Sequence, residues 1–362
     1  MRNGHTAWRA AARAIALLAL VLVAARQNRH LAAVRRAGLP GAPAYATQAP
    51  PLLNFVTVGL AGFRGIAAEI LWTRADRLQN EGRYLELIPL TDWTTGLDPH
   101  AIEAWAYSAW NLAYNVSAMM PRPRDRLGWV DRGVRLLRDR ALPGNPHNAR
   151  LHRELAWLYQ HKIGGPDDEA GDVYRMALAA AMAPCVNADG TVAGTPEASA
   201  ALQAMRLDPD RLRALERRYG PLDWRMAASH AVYWASRGVE YATGHERRAC
   251  RRAVYQPLIA ASLAGRFAGD LTNGVFRAAP NPALVPATVR ELEDTEAEFP
   301  SRTLRLVCGR YLVLAIRWAQ AAGRPDDAAA WYRDLQRIGA GVLAPVPLPD
   351  LLQGRDPEPL SP

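Results

Sequence analysis

The chain has 362 residues, 49% hydrophobic and 22% charged, which excludes both a disordered polymer and a polytopic membrane protein and leaves two ordinary domains or one elongated repeat array. Its formal net charge is +9, but seven of the 44 basic residues (Arg2, Arg9, Arg13, Arg26, Arg29, Arg35 and Arg36) fall within residues 1–36, where no carboxylate occurs; the first is Glu69. Setting those seven aside leaves 37 basic against 35 acidic residues, so the folded part is nearly neutral and no nucleic-acid partner is implied.

Residues 1–37 form a basic segment around the uncharged run AIALLALVLVAA at 14–25, bounded by Arg13 and Arg26. The run is shorter than the ~20 residues of a spanning helix. Snorkelling of the flanking arginines extends its reach and Trp8 suits an interface, so it reads as a single-pass membrane anchor. A cleaved signal peptide and a buried or surface helix share the same order of basic and apolar residues. Basic residues nearly balance across the run and do not orient it. Residues 38–51, GLPGAPAYATQAPP, repeat Pro and Gly and read as an extended linker.

In 52–184 apolar residues return at three- and four-residue spacing, so helices are predicted throughout. Leu71-x2-Arg74-Ala75-x2-Leu78 and Trp105-x2-Ser108-Ala109-x2-Leu112 lie 34 residues apart. A third copy, His152-x2-Leu155-Ala156-x2-Tyr159, follows 47 residues later, which places an insertion at MMPRPRD, 119–125. Small Ala75, Ala109 and Ala156 suit a seam where paired helices touch. Asn80-Glu81-Gly82-Arg83-Tyr84 reads as a turn between helices, and Leu97-Asp98-Pro99 as the next break.

Residues 185–300 break this period. Helices are predicted at 207–218, 223–242, 245–266 and 286–298, with a Gly/Pro/Asn-rich connection over 269–286. The acidic run Glu291, Glu293, Asp294, Glu296, Glu298 reads as a solvated face, the other reading being opposition to Arg247, Arg248, Arg251 and Arg252. A C-terminal helical pair in 301–342 carries Leu312-x2-Ala315-Ile316-x2-Ala319, Gly323 and Ala328-x3-Tyr332. The Pro-rich tail, 343–362, is predicted to be irregular and wrapped on the surface.

These spacings resemble the tetratricopeptide-repeat (TPR) family over 68–184 and, more loosely, over 303–338, with departures at Arg74, Thr91 and Ile316. The resemblance implies an all-α, TPR-like α-α solenoid of antiparallel helix pairs, here behind an N-terminal transmembrane helix. PPLLNFVTVGLAGFRGIAAEILW (50–72), RLQNEGRYLELIPLTDW (77–93) and GPLDWRMAASHAVYW (220–234) also resemble a group of bacterial membrane-anchored, uncharacterised helical-repeat proteins. That likeness implies the bacterial inner membrane, with a single pass and an extracytoplasmic body, and carries no activity.

Helical-repeat arrays bind on the wall built by the first helix of each pair. There Trp72, Asp76 and Gln79, then Tyr107, Trp110 and Tyr114, then Arg153, Trp157, Gln160 and His161 interleave aromatic and polar groups, the composition of a protein-binding hot spot. The competing reading puts Trp110 and Trp157 in the core between repeats. A second cluster comprises Asp223, Trp224, Arg225, His230, Tyr233 and Trp234. Asp223 suits an N-cap, and the cluster reads as a structural junction rather than a ligand pocket.

No Gly-rich phosphate loop, GxSxG elbow, HExxH or CxxC occurs. His147, His152 and His161 lack the three- or four-residue spacing of helical metal ligands. No metal or cofactor is therefore predicted. Cys308 reads as core, and Cys185 and Cys250 are a pairing candidate only outside the cytoplasm. The expected function is a non-catalytic scaffold or adaptor for protein partners of an envelope assembly. The alternative is an α/α-toroid-like carbohydrate-active enzyme or glycan-binding protein, with Asp76, Glu81, Asp92 and Asp223 as the acids.

Overall fold

A computed structural model describes residues 64–360, with Arg26 alone before them. The proposed anchor run and linker, and residues 52–63, lie outside the described residues. Most of the described chain is helical, and the helices pack in pairs. It divides into two compact units, one reaching Pro121 and adding Gly128–Pro146, the other made of Arg122–Leu127 and the chain from His147 onward.

In the first unit α1 is Arg64–Asn80, α2 is Leu87–Leu97, and α3 begins as Ile102–Trp110 and continues through a π turn, Asn111–Val116. α4, which counts with this unit from Gly128 onward, runs Pro123–Arg135, a π turn Leu136–Ala141, and Leu142–Gly144. α1 packs on α2, α2 on α3, and α3 on the later half of α4. Gly82 has φ +70°, a left-handed conformation that side chains resist. There Gly82 N–H donates to Gln79 O and Arg83 N–H to Leu78 O, which ends α1 at the predicted turn. Pro99 O accepts from Trp105 Nε1 at 2.9 Å and ties the next break to α3.

The predicted seam positions are buried: Ala75 is 8% exposed, Ala109 0% and Ala156 1%. A Cβ on Gly133 of α4 would stand 2.8 Å from Ala109 O and 3.2 Å from the Ala113 Cβ, so α3 and α4 meet backbone to backbone. The loop predicted at 119–125 is present over 119–122, and the rest of the extra length takes a different form. α4 reaches Gly144 from Pro123, whereas α2 spans only Leu87–Leu97, so the extra residues lengthen a helix.

The second unit starts with α5, Ala149–Trp157 followed by a π turn Leu158–Ile163, and α6, Gly171–Met182. α7 (Pro196–Ala204), α8 (Pro209–Tyr219), α9 (Ala227–Tyr241) and α10 (Gly244–Ala264) follow. Asn148, Thr195 and Asp208 side chains accept first-turn N–H groups and so start α5, α7 and α8. β1 (Arg266–Phe267) pairs antiparallel with β2 (Ala278–Ala279), the one sheet among the described residues. α11 (Val285–Glu298), α12 (Arg302–Ala321), α13 (Pro325–Gly339) and the short α14 (Leu348–Leu352) complete the unit.

α9 with α10 and α12 with α13 form the closest hairpins, and α10 and α12 flank α11. The third sequence copy is partnered from the middle of the chain. α6 meets α5 at its π turn, whereas Ala149–Trp157 lies mainly against α9. There a Cβ on Gly238 would stand 3.1 Å from Ala149 O, and His152 stacks on Trp234 and Tyr241 with centroids 6.0 and 5.8 Å apart.

The solvated-face reading of the acidic run fails at Glu291, while Glu298 is exposed and also paired. Glu291, only 2% exposed, accepts from Arg251 at 2.7 Å, Arg218 at 2.8 Å and the Tyr219 hydroxyl at 2.9 Å. Glu298 pairs with Arg247 and Arg251. α11 packs on α10, so Glu291 meets arginines rather than water, while Arg248 and Arg252 stay exposed. Cys185, Cys250 and Cys308 are buried free thiols. The tail folds back, with Leu360 N–H on Val342 O and Ala344 N–H on Glu358 O. No helix among the described residues is long and apolar enough to cross a membrane.

Changing an exposed helix glycine to alanine stabilises by up to ~1 kcal/mol. At Gly133 the added methyl meets a backbone carbonyl, so Gly133→Ala is expected to destabilise by about 1–3 kcal/mol. Thermal unfolding followed by circular dichroism reads the sign; a raised Tm would contradict the close seam.

Candidate functional site

The first-helix residues fall in different units. In the first, the Tyr107 hydroxyl donates to Gln79 Oε1 at 2.6 Å. Burial, with the Asp76 charge second, pushes that phenol up to about 12. Exposed Asp76 accepts from Asn80 at 3.4 Å. Trp110 is 40% exposed and stacks on Tyr114 with centroids 5.4 Å apart and planes at 25°. Trp72 lies on α1, and its side chain falls outside the described residues.

In the second unit Trp157, 47% exposed, lies 3.9 Å from the His161 ring centroid. Partial desolvation lowers the His161 pKa, and the charge of Arg252 lowers it further. Gln160 is half-buried, and Arg153 reaches Glu246 at 3.3 Å and Glu154 at 3.5 Å. Trp110 and Trp157 therefore stand at the surface rather than in a core between helices.

Asp76, Trp110 and Trp157 each directly follow a buried alanine, and each contacts the residue four positions on: Asn80, Tyr114 and His161. Successive helix residues are rotated by about 100°, so an alanine turned into the seam carries its successor out of it. Tyr114 and His161 both sit in π turns, which widen the helix there.

The second cluster is brought together in the interior. Trp224 and Tyr233 are 0% exposed, Asp223 and His230 1%, and Trp234 2%. The His230 Nε2 bonds Trp224 O at 2.8 Å, and its ring stacks on Tyr159 at 4.9 Å and 15°. Trp224 Nε1 donates to Glu216 Oε1 at 2.7 Å, which also accepts Val192 N–H at 2.8 Å. Burial raises the Glu216 pKa despite those two donors. Tyr233 holds Asp208 N–H at 3.0 Å.

Asp223 is not the N-cap of α9, which starts at Ala227 behind Met226 without a side-chain cap. Its carboxylate instead accepts from Arg225 Nε at 2.9 Å and from Phe267 N–H at 2.9 Å. A Cβ at Gly190, where φ is +90°, would fall 2.2 Å from the same carboxylate carbon. Asp223 thus ties three separate stretches of chain together.

Of the other acids considered, Glu81 is held by Arg83 at 2.9 Å and Asp92 by Arg140 at 2.7 Å. Among the described residues no group of three or more His, Cys, Asp or Glu gathers as a metal site. Two features escaped the sequence. Lys162, the single lysine of the chain, is buried against Asp168 at 2.5 Å. Burial would raise the Asp168 carboxyl, but Lys162 and the Ala170 N–H outweigh it and hold the pKa below the usual range. The other is Arg132 over the Trp129 ring, 4.3 Å from its centroid, signalled in sequence only by i, i+3 spacing. Comparison with protein families, with curated proteins and with solved structures finds no match to the chain.

The buried hydrogen bond and ring contacts of His230 make it a structural group. His230→Ala is expected to cost about 1–3 kcal/mol of stability, read as a lowered Tm, with partner capture intact wherever the domain stays folded. Unchanged Tm with lost capture would contradict this.

Proposed function

We propose that the chain is a non-catalytic, membrane-anchored, TPR-like scaffold that holds protein partners of a bacterial envelope assembly. The observation that carries this reading is the repeated display of an indole one residue after a buried seam alanine, at Trp110 and at Trp157. Each indole is braced by the ring four residues on and stands on a helix whose opposite face is packed. A braced aromatic loses little side-chain freedom on binding, and tryptophan leads the residues that dominate protein interfaces. Covering one such indole is worth roughly 1.5–3 kcal/mol, so each platform anchors a partner segment in its own right.

The 34-residue spacing and the buried seam alanines support repeat units of tetratricopeptide type. The apolar run at 14–25 supports the anchor, and likeness to membrane-anchored helical-repeat proteins supports an extracytoplasmic body. The carbohydrate-active alternative gains less support. Its candidate acids Glu81, Asp92 and Asp223 are each engaged by an arginine, and Asp223 is buried.

Trp110→Ala and Trp157→Ala test the reading. Co-isolation of crosslinked partners from the native envelope is expected to fall about tenfold or more for at least one variant, in line with loss of a hot-spot residue. Far-UV circular dichroism is expected to stay unchanged, because both indoles are exposed. Full partner recovery by both variants would overturn the assignment.

A further inference from the structure

Apart from the two indole platforms, α2, α3 and α4 line a cleft of about 310 Å³ within the first unit, at the low end of the volumes that hold small ligands. Its apolar lining comes from Ile88, Leu112 and Leu136, one residue from each helix, and Trp129 stands at the same cleft. Neither Trp110 nor Trp157 belongs to the lining, so this site stands or falls independently of the scaffold reading.

Most charges at the cleft are already neutralised. Arg140 pairs with Asp92 at 2.7 Å, Arg135 with Asp131 at 2.8 Å, and Asp139 with Arg138 at 2.8 Å. Arg132 differs. Its guanidinium carbon stands 4.3 Å from the Trp129 ring centroid, and among the described residues it has no carboxylate partner and donates no hydrogen bond. A cation–π contact steadies the guanidinium without consuming its fork of N–H donors. That leaves a fixed, bidentate carboxylate receptor beside an apolar cleft whose two acids are already paired.

We propose that this cleft binds a small amphipathic carboxylate. Its apolar body lies against Ile88, Leu112 and Leu136, and its carboxylate sits on the Arg132 fork. A neutral amphiphile of the same shape leaves that fork to water, and a cationic one meets an unneutralised positive charge. Both a medium-chain fatty acid and the C-terminal residue of a peptide carry this chemistry.

Isothermal titration of the full chain with octanoate and with N-acetyl-leucyl-leucine, each against its neutral amide, tests the site and distinguishes the two sources. At least one acid is expected to bind with a Kd below about 1 mM and about tenfold or more tighter than its amide, the margin of a charge-assisted hydrogen bond. Arg132→Gln is expected to remove that margin, and Arg132→Lys to keep part of it, because lysine keeps the charge without the fork. Arg132 is exposed and donates no hydrogen bond, so its variants keep the fold, with circular dichroism as the check. Failure of both acids to bind, or equal binding of the acid by Arg132→Gln, would overturn the proposal.

Discussion

Two helices can bring their backbones together only where neither carries a bulky side chain, and the helix pairs of this chain are built around such places. In the first unit Gly133 lies against the Ala109 carbonyl; in the second, Gly238 lies between Ala149 and Cys250, with a Cβ there 3.1 Å from Ala149 O and 3.0 Å from the Cys250 Sγ. The consequence reaches the surface through helix geometry. An alanine held in the seam turns the next residue away from it, and at Trp110 and Trp157 that residue is left 40% and 47% exposed.

The second unit shows how that constraint is met when the regular partner is elsewhere. α5 presents His152 and Ala149, and α9 answers with Trp234, Tyr241 and Gly238. Two buried carboxylates of this unit are matched. Asp223 binds Arg225 and Phe267 N–H, and Glu291 binds two arginines and a tyrosine. Leaving any of these carboxylates unpaired would cost several kcal/mol, which accounts for charge buried inside a helical stack.

Helix positions were legible because period and breakers are local properties. The 207–218 and 286–298 predictions meet α8, Pro209–Tyr219, and α11, Val285–Glu298, within two residues. α9 begins four residues later than predicted, at Ala227, because Asp223 spends its carboxylate on a long-range tie instead of a cap. Partner choice was not legible. Nothing in the spacing of His152 says that its neighbours come from α9, and charge alone offered the pairing of the acidic run with Arg247 and Arg251 only as the alternative to a solvated face. The candidate indoles were readable as a register but not as exposed or buried, since that depends on which helix covers them. Arg132 and Trp129 carried no signal beyond a shared helix face, because a cleft formed by three helices has no one-dimensional signature.

The most direct test of indole display as the binding device is a photo-crosslinking amino acid placed in the full chain at 110, at 157 and, as an equally solvent-facing control, at Leu314, which is 52% exposed. Illumination in intact cells is expected to give a discrete crosslinked species from 110 or 157 and none from 314. The same species from all three positions, or none from 110 and 157, would contradict the assignment.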